Sequence, residues 1–178
     1  MKRAIALLLL VAPSVFAIEL GPERRLAPRT LSEIYVATSD GYVAFWNDGA
    51  DVKAVHIALD GTMGAPTTVT HDLYVGGAAR DGDSIVVVAE QSHGFLSPIE
   101  VFRVGPDLHL ASPIAIFGGG QHPSIVADRG ELFAGWLVGQ SLFLAQLDPS
   151  LHAVRQKFFR QAWGLRVWPA TASSRRCS

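Results

Sequence analysis

The sequence predicts an all-β fold made of short antiparallel strands. Three observations support this prediction: a turn motif rich in Gly, Asp and Pro recurs along the chain, short runs of Val, Ile and aromatic residues recur with it, and no segment after the N-terminal leader shows the periodicity of an amphipathic helix. With 178 residues, of which 49% are hydrophobic and 17% charged, the chain can bury a core and is too apolar for intrinsic disorder.

The first 17 residues have the pattern of a secretory signal peptide. Lys2 and Arg3 form a basic start, an apolar run follows over residues 4–11, and Pro13 interrupts it. The alternatives are a transmembrane anchor or a buried helix, but a span needs about 20 apolar residues and this run is shorter. Ala17 is a small residue suited to the cleavage site. We therefore expect cleavage near Ala17, a secreted or periplasmic protein, and no transmembrane segment in the mature chain.

A turn motif recurs after this leader. The first residues of its four copies are 39, 45 and 43 positions apart. Gly, Asp and Pro supply the backbone angles of tight turns between strands. The similar spacings therefore predict an internal repeat of about 40–45 residues. The copies are LGPERRLAP (20–28), LDGTMGAP (59–66), VGPDLHLASP (104–113) and LDPSLHAV (147–154).

A second marker has the same period, and we interpret it as the second strand of each repeat. Its apolar residues do not alternate cleanly with polar ones, which favours strands that are buried on both faces. We expect the aromatic residues in these runs to fill the space between repeats. The runs are GYVAFW (41–46), SIVVVAE (84–90) and ELFAGW (131–136).

Each of these runs is flanked by two further predicted strands. The first strands are predicted at 34–38, 73–78 and 124–127, and the third strands at 53–59, 98–104 and 141–147. A weaker fourth strand is predicted after each turn motif. Four strands per repeat is the pattern of a β-propeller blade, which cannot bury both of its faces alone and therefore stacks on its neighbours.

Two stretches carry a resemblance to a known class of proteins. VATSDGYVAFW (36–46) and PSIVADRGELFAGW (123–136) each contain a strand, a turn and a second strand that ends in Trp. This pattern resembles that of secreted bacterial repeat proteins with propeller-like blades, and the segment IELGPERRLAP (18–28) is similar to the opening of such chains. The resemblance covers about residues 18–159. It implies a propeller-like architecture and export, and it implies no reaction, because its motifs carry no catalytic residue.

The predicted domains are a signal peptide (1–17), a β-propeller-like repeat domain (18–159) and an unassigned basic tail (160–178). The repeat domain holds about three blades and one additional N-terminal strand, whereas propellers close with roughly 4–8 blades. Three explanations remain open: a truncated or frame-shifted product, an open three-blade stack that associates with another chain, or a different closed β structure. The change of composition after Phe159 favours the first of them.

The sequence offers weak candidates for a metal site. Asp81 and Asp83, or Asp48 and Asp51, could supply oxygen ligands to calcium, but neither pair has the spacing and closing carboxylate of a calcium loop. We interpret these acids as hairpin-turn residues. The histidines show no zinc-binding spacing, and we predict neither a metal nor another cofactor. The histidines are His56, His71, His93, His109, His122 and His152.

We also predict that the chain is not an enzyme and has no catalytic residue. The only Gly-rich run, Gly118–Gly120, opens no helix that could bind phosphate, and we interpret it as the crossover between the second and third blades. Residues 38–46 have the wrong spacing for a sialidase box. Cys177 lies in the basic tail, where chance oxidation is a better expectation than catalysis.

These observations predict an exported, non-catalytic scaffold that binds a protein or a glycan through its loops. The alternative is a fragment of a secreted propeller-fold glycosidase or lyase. Acidic and arginine side chains that converge at one end of the strands would favour this alternative. A net charge of −1 provides no basic field for nucleic acid, and the sequence does not specify the partner.

Overall fold

The computed structural model describes residues 33–91, 96–112 and 115–160. These residues form eleven strands and no helix, so the all-β prediction is confirmed. The signal peptide, the first turn copy at 20–28 and residues 161–178 of the basic tail lie outside the described residues. The strands are β1 (Glu33–Ala37), β2 (Gly41–Asp48), β3 (Asp51–Ala58), β4 (Thr67–Thr70), β5 (Tyr74–Asp81), β6 (Ser84–Glu90), β7 (Ser97–Val104), β8 (Ala115–Asp128), β9 (Glu131–Val138), β10 (Ser141–Leu147) and β11 (Ala153–Phe159).

The strands form two open antiparallel sheets, and within each sheet every strand pairs with its neighbours in sequence, whereas β4 and β5 belong to different sheets and do not pair. One sheet has the order β1-β2-β3-β4, and the other runs from β5 to β11. We divide them into a first meander (33–70), a middle meander (74–120) and a last meander (121–159), each of four strands or parts of strands. The described residues form neither a closed barrel nor a closed ring of blades.

The long strand β8 belongs to two meanders. Its first part pairs with β7 and its second part pairs with β9, with irregular register between Gln121 and Ser124. The Gly-rich run expected as the crossover between the second and third blades lies where β8 passes from the middle to the last meander, inside a continuous strand. Its glycines allow a close passage, because a Cβ on Gly119 would lie 2.3 Å from the Leu96 carbonyl oxygen, and one on Gly120 would lie 2.3 Å from Trp136.

Both faces of the middle meander are buried, each against a different neighbour. On β6, Val87 faces the first meander and contributes to a core with Phe45, while Val86 and Val88 face the last meander and contribute to a core with Trp136. Burying one Val side chain stabilises a fold by about 1.5–3 kcal/mol. The three valines are 0% exposed, which confirms the prediction of a strand buried on both faces.

The aromatic residues of the second strands occupy two kinds of position. Phe45 lies between the first and middle meanders, and Trp136 lies between the middle and last meanders, where it stacks on Phe143 with ring centroids 6.0 Å apart. Both positions agree with the expectation from the sequence. Trp46 instead points away from the middle meander and packs with Val55 on the opposite face of the first sheet.

The first strands of the three meanders lie close together. β1 contacts β5, and β5 contacts β8. The closest approach is at Gly76, the extra residue of a bulge in β5, where an added Cβ would lie 2.5 Å from the Pro123 carbonyl oxygen. Asn47 ties the first sheet to β5, because its side-chain amide donates to the Leu73 carbonyl (2.8 Å) and its oxygen accepts from the Val75 N–H (3.0 Å).

Three connections that follow a third strand share one backbone geometry. In each, the N–H of the first residue donates to the carbonyl of the fifth at 2.9 Å, and the N–H of the fourth donates to the carbonyl of the first. The fourth residue has a positive φ in all three: 81° at Gly61, 62° at Leu108 and 66° at Leu151. The connections span residues 58–62, 105–109 and 148–152.

This geometry corrects the alignment of the turn motif. The sequence matches Leu59 with Val104 and Leu147, but the hydrogen bonds place Ile57 in the position of those two residues. Burial agrees with the correction, because Val104 is 0% exposed whereas Leu59 is 76% exposed and lies beyond the end of β3. The corrected positions are 47 and 43 residues apart.

Replacing Gly76 with alanine tests the close approach of β5 to β8. The added methyl would meet the backbone and ring of Pro123, so we expect Gly76→Ala to lower the free energy of unfolding by about 1–3 kcal/mol. Gly118→Ala is the matched control, because a Cβ there meets no atom within 4 Å. Urea denaturation measures both, and equal stability of the two variants would contradict the packing described here.

Candidate functional site

A cleft of about 290 Å³ opens between the first and middle meanders. It lies at the turn end, which we define as the end of the strands that carries the β1–β2, β5–β6 and β7–β8 connections. Its apolar side chains, Val43, Ile85 and Leu108, belong to the edge of the core that joins the two meanders. The lining residues are Thr38, Ser39, Asp40, Val43, His56, Arg80, Asp83, Ser84, Ile85, Gly105, Pro106 and Leu108.

Asp40 makes two side-chain contacts on the wall from the first meander. Its Oδ1 accepts a hydrogen bond from the Thr38 hydroxyl (2.9 Å) and lies 3.2 Å from His56 Nε2. The bond from Thr38, and then the contact with His56, lower the pKa of Asp40 below its ordinary value. The tight β1–β2 turn positions Asp40, and β3 positions His56.

The opposite wall is the β5–β6 hairpin of the middle meander. Arg80 donates from Nε to the Gly82 carbonyl at 2.9 Å, which holds the guanidinium against its own turn. Ser84 donates to the Asp81 carbonyl at 3.0 Å. Asp40, Asp83 and Arg80 therefore converge at one end of the strands. From the sequence, Asp83 is considered only as a weak calcium ligand, and Asp40 and Arg80 are not identified as site residues.

The junction between the middle and last meanders is filled by Arg103. Its Nη2 lies 2.6 Å from Asp81 Oδ2 and donates to the Pro149 carbonyl at 3.1 Å, while Nη1 donates to the Ser84 hydroxyl at 2.8 Å. Arg103 thereby connects β7, the β5–β6 hairpin and the β10–β11 turn. A guanidinium matches this set of acceptors because its planar fork can reach several of them at once.

Arg103 and His56 occupy the same place in their meanders. Each lies two residues before a turn of the shared geometry, and each contacts an acid in the hairpin of the first two strands: His56 contacts Asp40, and Arg103 contacts Asp81. In the next meander along the chain, the second residue of the shared turn is a proline in both cases: Pro106 for His56 and Pro149 for Arg103. The cleft therefore lies where the shorter imidazole replaces a guanidinium.

The sequence alone could have revealed this equivalence with a different alignment. Matching Leu59 with Val104 places Ala58 against Arg103, whereas the turn geometry places His56 there. The error arises because the sequence alignment matches Asp60-Gly61 with Gly105-Pro106. These pairs are the third and fourth residues of one turn and the first and second residues of the other.

Two of the four acids considered for calcium, Asp51 and Asp81, contact basic side chains. Asp51 lies 2.7 Å from His71 Nδ1 and 3.5 Å from Lys53 Nζ, and Asp81 contacts Arg103. The contact with His71 lowers the pKa of Asp51. His93 and Cys177 lie outside the described residues, and within those residues no group of three or more His, Cys, Asp or Glu could hold a metal ion.

Comparison with protein-family models and with curated proteins finds no match to this sequence. Within the described ranges, no helix is long and apolar enough to cross a membrane.

Replacing Arg103 tests the bridge between the middle and last meanders. Lysine keeps the charge but has a single nitrogen, so Arg103→Lys loses at least one of the three contacts, and we expect the free energy of unfolding to fall by about 1–3 kcal/mol. Arg155→Lys, on the exposed face of β11, is the control and should change stability by less than about 0.5 kcal/mol. Equal values in urea denaturation would show that the bridge contributes nothing.

The hydrogen bonds of Asp40 predict how the stability of the fold depends on pH. Because the pKa of Asp40 is lower in the folded chain than in the unfolded chain, Asp40 stabilises the fold at pH values above the ordinary carboxyl pKa. This contribution is lost as the pH falls through the lowered pKa. Asp40→Asn should therefore lose less stability than the native chain between pH 5 and pH 2. Thr38→Val keeps the carboxyl but removes its main hydrogen bond, and we expect an intermediate dependence. An unchanged pH dependence in Asp40→Asn would refute the assignment.

Proposed function

We propose that the chain is an exported, non-catalytic, propeller-like scaffold that binds a protein partner at the turn-end cleft. The observation that carries the proposal is the convergence of Asp40, Asp83 and Arg80 around an apolar floor. Connections from two meanders form the cleft, and binding residues are concentrated on loops that a rigid scaffold positions.

Two features support the propeller-like part of the proposal. The three meanders contain similar turns after their third strands, and their first strands approach one another most closely. Four-stranded meanders that pack face to face and converge at their first strands have the arrangement of blades around an axis. Export rests on the leader at residues 1–17 and on the resemblance to secreted repeat proteins.

The lining of the cleft favours a protein over a glycan. It combines carboxylates, one arginine and three aliphatic side chains, and no aromatic residue lines it within the described chain. Separate acidic and basic groups beside a small apolar floor match a polypeptide segment that carries a charged side chain. Such complementary charges determine the specificity of protein recognition.

The alternative, a fragment of a glycosidase or lyase, draws on the same convergence of acids and arginine. Glycoside hydrolysis uses two carboxyl groups, a general acid with a raised pKa and an ionised carboxylate. Hydrogen bonds lower the pKa of Asp40, so this carboxyl fits only the ionised role. We favour binding because an apolar floor of Val43, Ile85 and Leu108 lies beside the charged groups.

The test is a comparison of ligand classes on the purified secreted chain. A displayed random-peptide library, a glycan array and a panel of chromogenic glycosides are applied to the native chain and to two variants. Ser39→Trp places a bulky side chain in the lining of the cleft, and Ser150→Trp places it on the exposed β10–β11 turn outside the cleft.

We expect peptides to be enriched by the native chain and by Ser150→Trp, and at least tenfold less by Ser39→Trp. Binding only to glycans that Ser39→Trp abolishes, or glycoside hydrolysis that Asp40→Asn abolishes, would replace this function with the corresponding alternative. Peptide binding that both tryptophan variants retain would place the site elsewhere.

A further inference from the structure

The two junctions between meanders differ in the side chain that stands two residues before the shared turn. At the junction of the middle and last meanders, the Arg103 guanidinium contacts Asp81, Ser84 and the Pro149 carbonyl, and its side chain is 17% exposed. At the junction of the first and middle meanders, His56 occupies the corresponding place and contacts Asp40. The turn residue at the position of Pro149 is Pro106, and it lines an open cleft.

The polar groups around the cleft suit a cation with several donors. Carboxylates line both walls, at Asp40 and Asp83. The one arginine of the lining, Arg80, already donates to the Gly82 carbonyl of its own turn. A planar guanidinium pairs with carboxylates through two parallel hydrogen bonds, whereas an ammonium acts as a point charge.

We propose that the cleft binds a guanidinium group, supplied by an arginine side chain of the protein partner, in the place that Arg103 occupies at the neighbouring junction. The guanidinium lies against Asp40 and the carbonyl side of Pro106, and the aliphatic part of the arginine packs on Val43, Ile85 and Leu108. This proposal rests on the proposed function, because it names the side chain that the cleft recognises.

The first test compares side chains in one peptide. Titration calorimetry measures binding of capped Gly-Arg-Gly, of its lysine and citrulline analogues, and of methylguanidinium. We expect the arginine peptide to bind, lysine to weaken binding about tenfold, and neutral citrulline to abolish it, because charged hydrogen bonds contribute one to two orders of magnitude in affinity. Methylguanidinium should bind more weakly than the peptide, and equal affinity would indicate a free guanidino compound and overturn the partner assignment.

The second test changes the cleft. Asp40 is exposed, so Asp40→Asn should keep the fold and weaken the arginine peptide at least tenfold. His56→Arg supplies the missing guanidinium from within the chain, and we expect it to abolish peptide binding and raise the melting temperature. Glu131→Gln is the matched control, because Glu131 accepts the corresponding contact from Gln146 in the last meander and does not line the cleft.

The outcomes separate this proposal from the proposed function. Peptides that bind in a Ser39→Trp-sensitive manner without a preference for arginine would overturn the guanidinium proposal and leave the function in place. Equal effects of Asp40→Asn and Glu131→Gln would also overturn it. If no peptide binds in a Ser39→Trp-sensitive manner, the proposed function of this cleft is wrong. If the His56→Arg variant melts no higher and still binds the peptide, an arginine at position 56 does not occupy the cleft as Arg103 occupies the neighbouring junction. That result would overturn the proposed binding geometry.

Discussion

The burial of both faces of the middle meander is the constraint on which the other features depend. Val86, Val87 and Val88 are consecutive and all fully buried, so neighbouring side chains on β6 need different partners on opposite sides. Neither adjacent meander can be removed without exposing one of these faces. The three meanders therefore stabilise one another through nearest-neighbour contacts, as the units of stacked repeat folds do. The two junctions at which they meet are also the places where polar side chains can be enclosed.

Polar contacts fix how the stacked meanders are aligned. Apolar packing is non-directional, so it allows sliding between the sheets, whereas hydrogen bonds from Asn47 to β5 and from Arg103 to the β10–β11 turn hold one position. Each of these side chains reaches backbone groups in the next meander. Removing one partner of such a contact leaves the other unsatisfied, which costs more than the bond itself contributes. The alignment of the junctions is thus encoded in a few polar residues.

The strands were predictable from sequence because burial on both faces leaves a clear pattern, as in the run of valines in β6. Two features were not. The Gly-rich run was interpreted as the crossover between two blades, but its extension as part of β8 was not predicted, and close contacts with Leu96 and Trp136 require residues without a side chain there. The alignment of the turn motif was also wrong by two residues at Leu59, because the amino-acid types alone do not show which residue of the turn adopts a positive φ. The cleft depends on that alignment and was therefore not visible in the sequence.

The shared turn explains why a single side chain distinguishes the two junctions. Leu108 and Leu151 adopt a left-handed backbone that costs a residue with a side chain roughly 1–2 kcal/mol, and a glycine stands at the same place in the first meander. Both leucines are buried, at 7% and 1% exposure, and their burial offsets this cost. Because the turn geometry is maintained in this way, the residues two positions before the turn, His56 and Arg103, lie at equivalent places in their meanders. The contents of each junction then follow from the length and donors of that one side chain: Arg103 fills its junction, and His56 leaves a cleft.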